Sequence, residues 1–187
     1  MKPIFIFNAP PQTGKDTICN ELFCNYRLGF NTASFKDPMF DIFLASTGMF
    51  RDEFEKLYAT EGWKDTPNEI TGGKTPREFL IHISEVFIKP IFGKDYFGFF
   101  LKNHINQFEK IHGESVAWLI PDGGFPDEIK ALEDEFGDRV IVIQLEREGK
   151  RDFGNDSRNW VTGKKTFRFD TSRGNDEVIS IIKDLIV

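Results

Sequence analysis

The chain has 187 residues, a length that favours a single domain, and its 40% hydrophobic and 29% charged residues are ordinary for a soluble globular protein. The formal net charge is −6 and no long basic run occurs, which argues against a protein that follows a nucleic-acid backbone. No stretch approaches the roughly 20 apolar residues of a membrane span, and the N-terminal apolar run is too short for a signal peptide. We therefore expect a cytoplasmic protein without membrane or nucleic-acid partners.

The two cysteines, Cys19 and Cys24, fall on the same predicted helix. Their spacing turns a helix by about 140°, so they do not share a face. This excludes a disulfide or a zinc pair. We expect both to be buried apolar residues in a reducing compartment.

Four successive apolar residues near the N-terminus, Ile4–Phe7, predict a short buried strand. A run of small and polar residues follows. A helix is then predicted from about Lys15 to Arg27, with Ile18 and Leu22 on its apolar face. The order strand, loop, helix is the one that a phosphate-binding loop requires.

The sequence at this loop resembles the pattern G-x-x-x-x-G-K-[ST] with two departures. Gly14 and Lys15 match it, whereas Ala9 replaces the first glycine and Asp16 replaces the hydroxyl residue, which comes one position later as Thr17. In such loops backbone N–H groups and the helix dipole bind phosphate, and the lysine reaches the β- and γ-phosphates. The alternative is an ordinary helix start. The predicted ATP-binding residues are Pro11, Gln12, Thr13, Gly14, Lys15, Asp16 and Thr17.

Further strands and helices alternate along the chain. The predicted strands are Thr32–Phe35, Val116–Ile120, Arg139–Leu145 and Thr166–Asp170. The predicted helices begin near Asp37, Thr75, Asp95, Asp127 and Asp176, with a charged surface excursion over residues 51–74. The pattern predicts an α/β fold, a three-layer sandwich with a mostly parallel five-stranded sheet of the P-loop NTPase or kinase-like type.

Ligands of such sheets bind at the carboxyl ends of the strands. The phosphate loop, Lys36-Asp37 and Asp122 all follow predicted strands. Asp122 either faces a magnesium ion or is a turn residue in Pro-Asp-Gly-Gly. We expect Asp16, Thr17 and Asp122 to hold Mg²⁺, partly through water.

Four basic residues follow the fourth strand: Arg147, Lys150, Arg151 and Arg158. Positive charge stabilises a phosphoryl group in transfer, and a closing flap excludes water. Gly149 and Gly154 within this stretch allow such a flap, although a solvated charged loop has the same composition. We expect a lid over about residues 146–160.

Arg77 lies in the first turn of a predicted helix, where a cation opposes the helix dipole. Such a placement favours a specific partner, either a bound phosphate or Glu78. We expect phosphate binding.

Five motifs in this order resemble the bacteriophage-type deoxynucleoside monophosphate kinases over nearly the whole chain. They are Asn8–Thr17, Ser34–Pro38, Lys74–Leu80 with Phe92–Phe97, Asp122–Glu128, and Leu145–Arg147 with Asp156–Arg158. The third resembles the helix that holds the acceptor nucleotide, and the last resembles the lid. One departure is Gly124, where the family has an arginine.

The resemblance implies one kinase domain over residues 1–187, with an acceptor-binding helical region at about 37–112. It implies that Lys15, Asp16 and Thr17 bind ATP and Mg²⁺, that Arg77 binds the acceptor, and that Arg147, Arg151 and Arg158 are lid charges. Lys15 and these three arginines are the predicted catalytic set, and Lys36, Arg77 and Asp122 the predicted acceptor set.

The implied reaction is ATP-dependent phosphorylation of a deoxynucleoside 5′-monophosphate in the cytoplasm, which is the host's if the chain is viral. Small-molecule nucleotides are the expected partners, and a homodimer stays open. The alternatives are a kinase for another small acceptor, such as a coenzyme A precursor, and a nucleotide-binding protein without catalysis.

Overall fold

A computed structural model describes residues 1–25, 29–149, 153 and 158–186 of the chain. Its sheet has five parallel strands in the order β2-β3-β1-β4-β5. They are β1 (Ile4–Asn8), β2 (Phe30–Thr32), β3 (Ala117–Ile120), β4 (Val140–Glu146) and β5 (Thr166–Asp170). Ile4 pairs with both Trp118 and Val140, so β1 is the central strand. The predicted α/β class is confirmed, and the sheet is parallel throughout.

The helices are α1 (Lys15–Asn25), α2 (Asp37–Thr47), α3 (Arg51–Ala59), α4 (Pro76–His82), α5 (Lys89–Phe92), α6 (Tyr96–His112), α7 (Pro126–Phe136) and α8 (Asp176–Asp184). A π-helical segment, Ile83–Ile88, joins α4 to α5. Short 3₁₀ turns occupy Trp63–Asp65, Glu69–Thr71 and Gly137–Arg139. No described helix is both long and apolar enough to cross a membrane.

The chain divides into two compact units. The first unit comprises residues 1–35 and 97–187 and contains the sheet. Phe5 and Phe7 of β1 pack with Ile18 of α1 and Ile182 of α8 on one face of that sheet. On the other face Trp118 contacts Phe108 of α6, 5.3 Å between ring centroids. Burying each such side chain contributes roughly 1.5–3 kcal/mol, so the sheet is held from both sides.

The second unit, residues 36–96, is helical and has an aromatic centre. Phe54 lies 5.0 Å from Phe40 and 4.9 Å from Phe43 between ring centroids, and Phe43 lies 5.5 Å from Phe79. Helix α4 begins with a capping box, in which Glu78 N donates to Thr75 Oγ1 and Thr75 N donates to the Glu78 carboxylate. This start agrees with the sequence prediction.

The position of one predicted strand differs from the structure. Strand β2 covers Phe30–Thr32 instead of Thr32–Phe35, because Ser34 Oγ and Phe35 N leave the sheet and donate to Asp122. The helix after Thr75 continues past Pro90, which lies in the first turn of α5. There the missing N–H of a proline has little consequence.

Several apolar side chains on helices are exposed, among them Cys24, which we expected to be buried. Cys24 lies on the solvent side of α1, whereas Cys19 is buried as expected. On α6, Phe99 is exposed and Phe97 is buried. Phe87 is exposed while Ile88 is buried, because the π-helical segment adds a residue to the turn and shifts the apolar face by one position.

Candidate active site

The loop between β1 and α1 is the one that the sequence analysis predicts to bind phosphate. Gly14 has φ +94° and Gln12 has φ +63°, so both residues adopt the left-handed conformation. Helix α1 begins directly afterwards, with Ile18 N donating to Gly14 O at 3.0 Å. The first N–H groups of a helix have no intrahelical acceptor, and they carry the positive end of its dipole. The structure therefore places a helix start, with N–H groups that can donate to an anion, directly after the loop that follows the central strand.

Lys15 and Asp16 are paired at this helix start. The Lys15 side chain is only 12% exposed and its Nζ lies 3.2 Å from Asp16 Oδ2, whereas the Asp16 side chain is 73% exposed. Because the Asp16 carboxylate is solvated, this ion pair is weak, and an anionic ligand can take the place of Asp16 as the partner of Lys15. Thr17 is also exposed, and Pro11 and Gln12 lie on the surface of the loop.

Two buried threonines brace the loop. Thr13 Oγ1 donates to Pro10 O at 2.9 Å. Thr171, which follows β5, donates its hydroxyl to Thr13 O at 2.9 Å and to Glu146 O at 3.1 Å. Both threonines are fully buried. Thr171 thereby joins the phosphate loop to the end of β4, and nothing in the sequence pattern marked it.

Arg147 and Asn175 lie beside Gly14. A Cβ built on Gly14 would lie 3.4 Å from Arg147 Nη2 and 3.3 Å from Asn175 Oδ1. Arg147 Nε and Asn175 Oδ1 are buried and have no hydrogen-bond partner among the described residues. The structure thus brings one predicted arginine to the phosphate loop. Asn175, just before α8, carried no sequence signal.

Asp122 lies after β3 and is 6% exposed. Its Oδ2 accepts from Ser34 Oγ at 2.6 Å and its Oδ1 accepts from Phe35 N at 3.1 Å. These bonds fix the segment that follows β2. Because a carboxylate has about four acceptor positions, Asp122 can still accept from water.

Two amide side chains, at the end of β1 and within β4, were given no role by the sequence analysis. Asn8 and Gln144 are buried and are partners in the register of β1 and β4. Both bind the backbone of Val161. The available signal was a polar residue at the end of an apolar strand, which a buried position tolerates only with hydrogen bonds.

The second unit holds the other predicted acceptor residues. Arg77 forms a two-point ion pair with Asp65, with Nε at 2.6 Å from Oδ1 and Nη2 at 3.2 Å from Oδ2. The Arg77 hydrogen bond holds the pKa of Asp65 below its usual value. Asp65, which the sequence analysis did not name, is thus a partner of Arg77, and the Glu78 carboxylate accepts from Thr75 N in the capping box of α4. Lys36 is half-buried and stands at the N-cap of α2.

The predicted metal ligands were Asp16, Thr17 and Asp122. Among the described residues no group of three His, Cys, Asp or Glu side chains could hold a metal ion. The donor chemistry fits a magnesium ion that keeps most of its water, because the exposed Asp16 carboxylate and Thr17 hydroxyl flank the start of α1. Asp122 fits as an acceptor of magnesium-bound water.

The predicted lid is described only in part. Arg147 and Arg158 lie within the described residues, whereas Lys150 and Arg151 lie outside them. Phe153 and Trp160 contact each other edge to face, 5.3 Å between ring centroids.

Searches against protein-family models and against curated proteins found no match for the chain. Among solved structures, the chain is similar to one described as a "putative kinase" from Chloroflexus aurantiacus J-10-fl. That likeness has 14% sequence identity and a TM-score of 0.42, and it covers 98% of this chain and 94% of the other.

Proposed function

We propose that the chain is an ATP-dependent kinase that phosphorylates a deoxynucleoside 5′-monophosphate to the diphosphate. The observation that carries the proposal is the arrangement at the end of β1. Gly14 with its left-handed φ, the start of α1, the largely buried Lys15 and the Arg147 guanidinium all lie there. This arrangement suits the triphosphate of a nucleotide.

The residues have separable roles in the proposed reaction. The N–H groups at the start of α1 bind the β-phosphate, and Lys15 exchanges Asp16 for the β- and γ-phosphates. Arg147 stabilises the negative charge of the phosphoryl group during transfer. Magnesium, held through Asp16, Thr17 and water on Asp122, would neutralise charge on the β- and γ-oxygens. Arg77 binds the phosphate of the acceptor. In the structure two N–H groups of Arg77 donate to the Asp65 carboxylate, and the acceptor phosphate takes the place of that carboxylate.

The chemistry needs no general base. An ionised oxygen of the acceptor monophosphate attacks the γ-phosphorus, the bond from that phosphorus to the β–γ bridging oxygen breaks, and ADP leaves with the electron pair. None of the three histidines has a role in this proposal.

The test is a magnesium–ATP assay for nucleoside diphosphates over a panel of deoxy- and ribonucleoside monophosphates. We expect turnover with deoxynucleotides, and a loss of about 10²-fold or more in Lys15→Ala, as for other groups that stabilise transferring charge. Lys130→Ala is the matched control, because Lys130 lies on α7, is 72% exposed and forms a surface ion pair with Asp134.

Equal activity of Lys15→Ala and the wild type would remove Lys15 from the reaction. No diphosphate from any monophosphate, with ATP still bound, would overturn the acceptor assignment. The panel therefore also contains a coenzyme A precursor, whose phosphorylation would identify a kinase for another acceptor. Binding without any turnover would identify a nucleotide-binding protein.

A further inference from the structure

A four-residue segment, Arg158–Val161, lies on the carboxyl ends of the sheet; we call it the strap. Its last residue is held from two strands. Val161 N donates to Asn8 Oδ1 at 3.0 Å, and Gln144 Nε2 donates to Val161 O at 2.8 Å. Since Asn8 and Gln144 are register partners, the two amides form one clamp.

The rest of the strap is also bonded to this edge. Asn8 Nδ2 donates to Asn159 O at 2.9 Å and to Gly123 O at 3.1 Å, and Asn159 N donates to Gly124 O at 3.3 Å. The Arg168 guanidinium lies 4.6 Å from the ring centroid of Trp160. Every residue of the strap after Arg158 therefore contacts a sheet strand or a residue that follows one. These bonds hold it as a fixed part of the first unit.

Arg158 begins the strap and lies across Gly124. A Cβ built on Gly124 would lie 2.5 Å from Arg158 Cγ, 2.6 Å from its Cβ and 2.7 Å from its Cδ. Real Cβ atoms do not come so close to another carbon. Gly124 does not have a left-handed φ, so its backbone does not require glycine. What glycine provides at this position is space for the aliphatic stem of Arg158.

We propose that Gly124 is a positioning residue for Arg158, because its missing Cβ leaves the space that the arginine stem occupies; we call this arrangement the seating of Arg158. The Asn8–Gln144 clamp fixes this arginine before any ligand binds. Gly124 stands two residues after Asp122, and Asn8 directly precedes the phosphate loop. The aliphatic stem of Arg158 therefore lies near the residues that follow β3, the strand end that also carries Asp122. The role of Arg158 toward phosphate rests on the proposed function, whereas the seating does not.

The experiment is a double-mutant cycle with Gly124→Ala and Arg158→Gly, because glycine removes the whole stem. In the wild-type background, Gly124→Ala should lower kcat by roughly tenfold or more, since misplacing a reactive group by about 1 Å can cost about 10²-fold. The KM for ATP should stay nearly constant. In the Arg158→Gly background, Gly124→Ala should change the remaining kcat by less than about twofold, because nothing is left to displace.

Thermal unfolding of the same four proteins tests the seating without any kinase assay. Gly124→Ala should lower the melting temperature in the wild-type background and not in Arg158→Gly. An equal decrease in both backgrounds would overturn the proposal. If the wild type turned over no substrate, the proposed function would fail while the melting temperatures still decided the seating.

One measurement needs only the wild-type protein and does not depend on the folding of variants. Nuclear Overhauser effects between the Gly124 α-protons and the Arg158 β- and γ-protons should appear in the wild-type protein without nucleotide. Their absence would overturn the proposal.

Discussion

The residues that shape the candidate site are mostly small polar side chains at strand ends. Asn8 follows four apolar residues of β1, Gln144 lies within β4, and Thr171 follows β5. Each is at most 6% exposed, and each bonds to backbone atoms far away in the chain. A buried polar group without a partner costs about 1–3 kcal/mol. Substitution of any of these three residues is therefore expected to lower the stability of the protein more than substitution of the exposed charged residues nearby.

Thr171→Val should destabilise the protein and weaken nucleotide binding. Valine keeps the shape of the side chain but leaves Thr13 O without the Thr171 hydroxyl, at a cost of about 1–3 kcal/mol. Urea unfolding and titration with a fluorescent ATP analogue measure the two effects. Thr171→Ser retains the hydroxyl and is the control. If valine and serine behaved alike, the hydroxyl would have no bracing role.

The two thiols should differ sharply in reactivity. Burial raises the pKa of Cys19 well above its usual value, so its thiol stays protonated and unreactive at pH 8, whereas Cys24 is exposed. A disulfide reagent should label one thiol quickly in the native protein and both in denaturant. Cys24→Ser should abolish the fast phase. Rapid labelling that survives in Cys24→Ser would contradict the burial of Cys19.

At the level of elements, the sequence was most informative where an element is buried uniformly. Strands β1, β3 and β4 were predicted because continuous apolar runs are typical of parallel strands covered on both faces, whereas β5 was predicted from its alternating apolar residues. The position of β2 was wrong because the bonds that end it come from Asp122, which is distant in sequence. The π-helical segment has no local sequence signal, since Ile83–Ile88 would form an α-helix equally well.

The candidate site, like the fold, could be predicted from local sequence patterns but not from contacts between distant residues. Gly14, Lys15 and Arg147 could be predicted because a phosphate loop and a basic run are local patterns. Asn8, Gln144, Thr171 and Asn175 could not, because their roles depend on contacts that only the folded sheet creates.

Helices α6 and α7 make a close contact at Gly98. A Cβ there would lie 2.7 Å from Ala131 Cβ and 2.9 Å from Glu128 O. Gly98→Ala should therefore destabilise the protein by about 1–3 kcal/mol through overpacking, against a gain of up to about 1 kcal/mol in helix propensity. Chemical denaturation measures the difference. Gln107→Ala, at an exposed position of α6, is the control and should change little. If Gly98→Ala were more stable than the wild type, α6 and α7 would have room for the added methyl group, which would contradict the close contact.

On the scale of the whole molecule, the candidate residues are divided between the two compact units. The phosphate loop, Arg147 and Asp122 belong to the first unit, and Lys36 and Arg77 to the second. If the units divide the two substrates in the same way, variants should separate donor binding from acceptor binding.

Arg77→Ala should raise the KM for the acceptor by roughly tenfold or more, because a charge-assisted bond to phosphate contributes about 1.5–3 kcal/mol. Its affinity for an ATP analogue should match that of the wild type, whereas Lys15→Ala should lose that affinity. Steady-state kinetics and fluorescence titration distinguish the two. Arg51→Ala, an exposed arginine on α3 with surface ion pairs, is the control. Loss of ATP affinity in Arg77→Ala would contradict the division.

The central position of β1 also determines when the sheet can assemble on the ribosome. Ile4–Asn8 leaves the exit tunnel long before its two neighbours, since Ile4 pairs with Trp118 on one side and with Val140 on the other. Until β3 and β4 are synthesised, a strand with four apolar residues in succession has both hydrogen-bonding edges open, which is the condition under which strands pair with other chains. The nascent protein is therefore expected to depend on chaperones during most of its synthesis, and to lose that dependence abruptly once β4 has emerged.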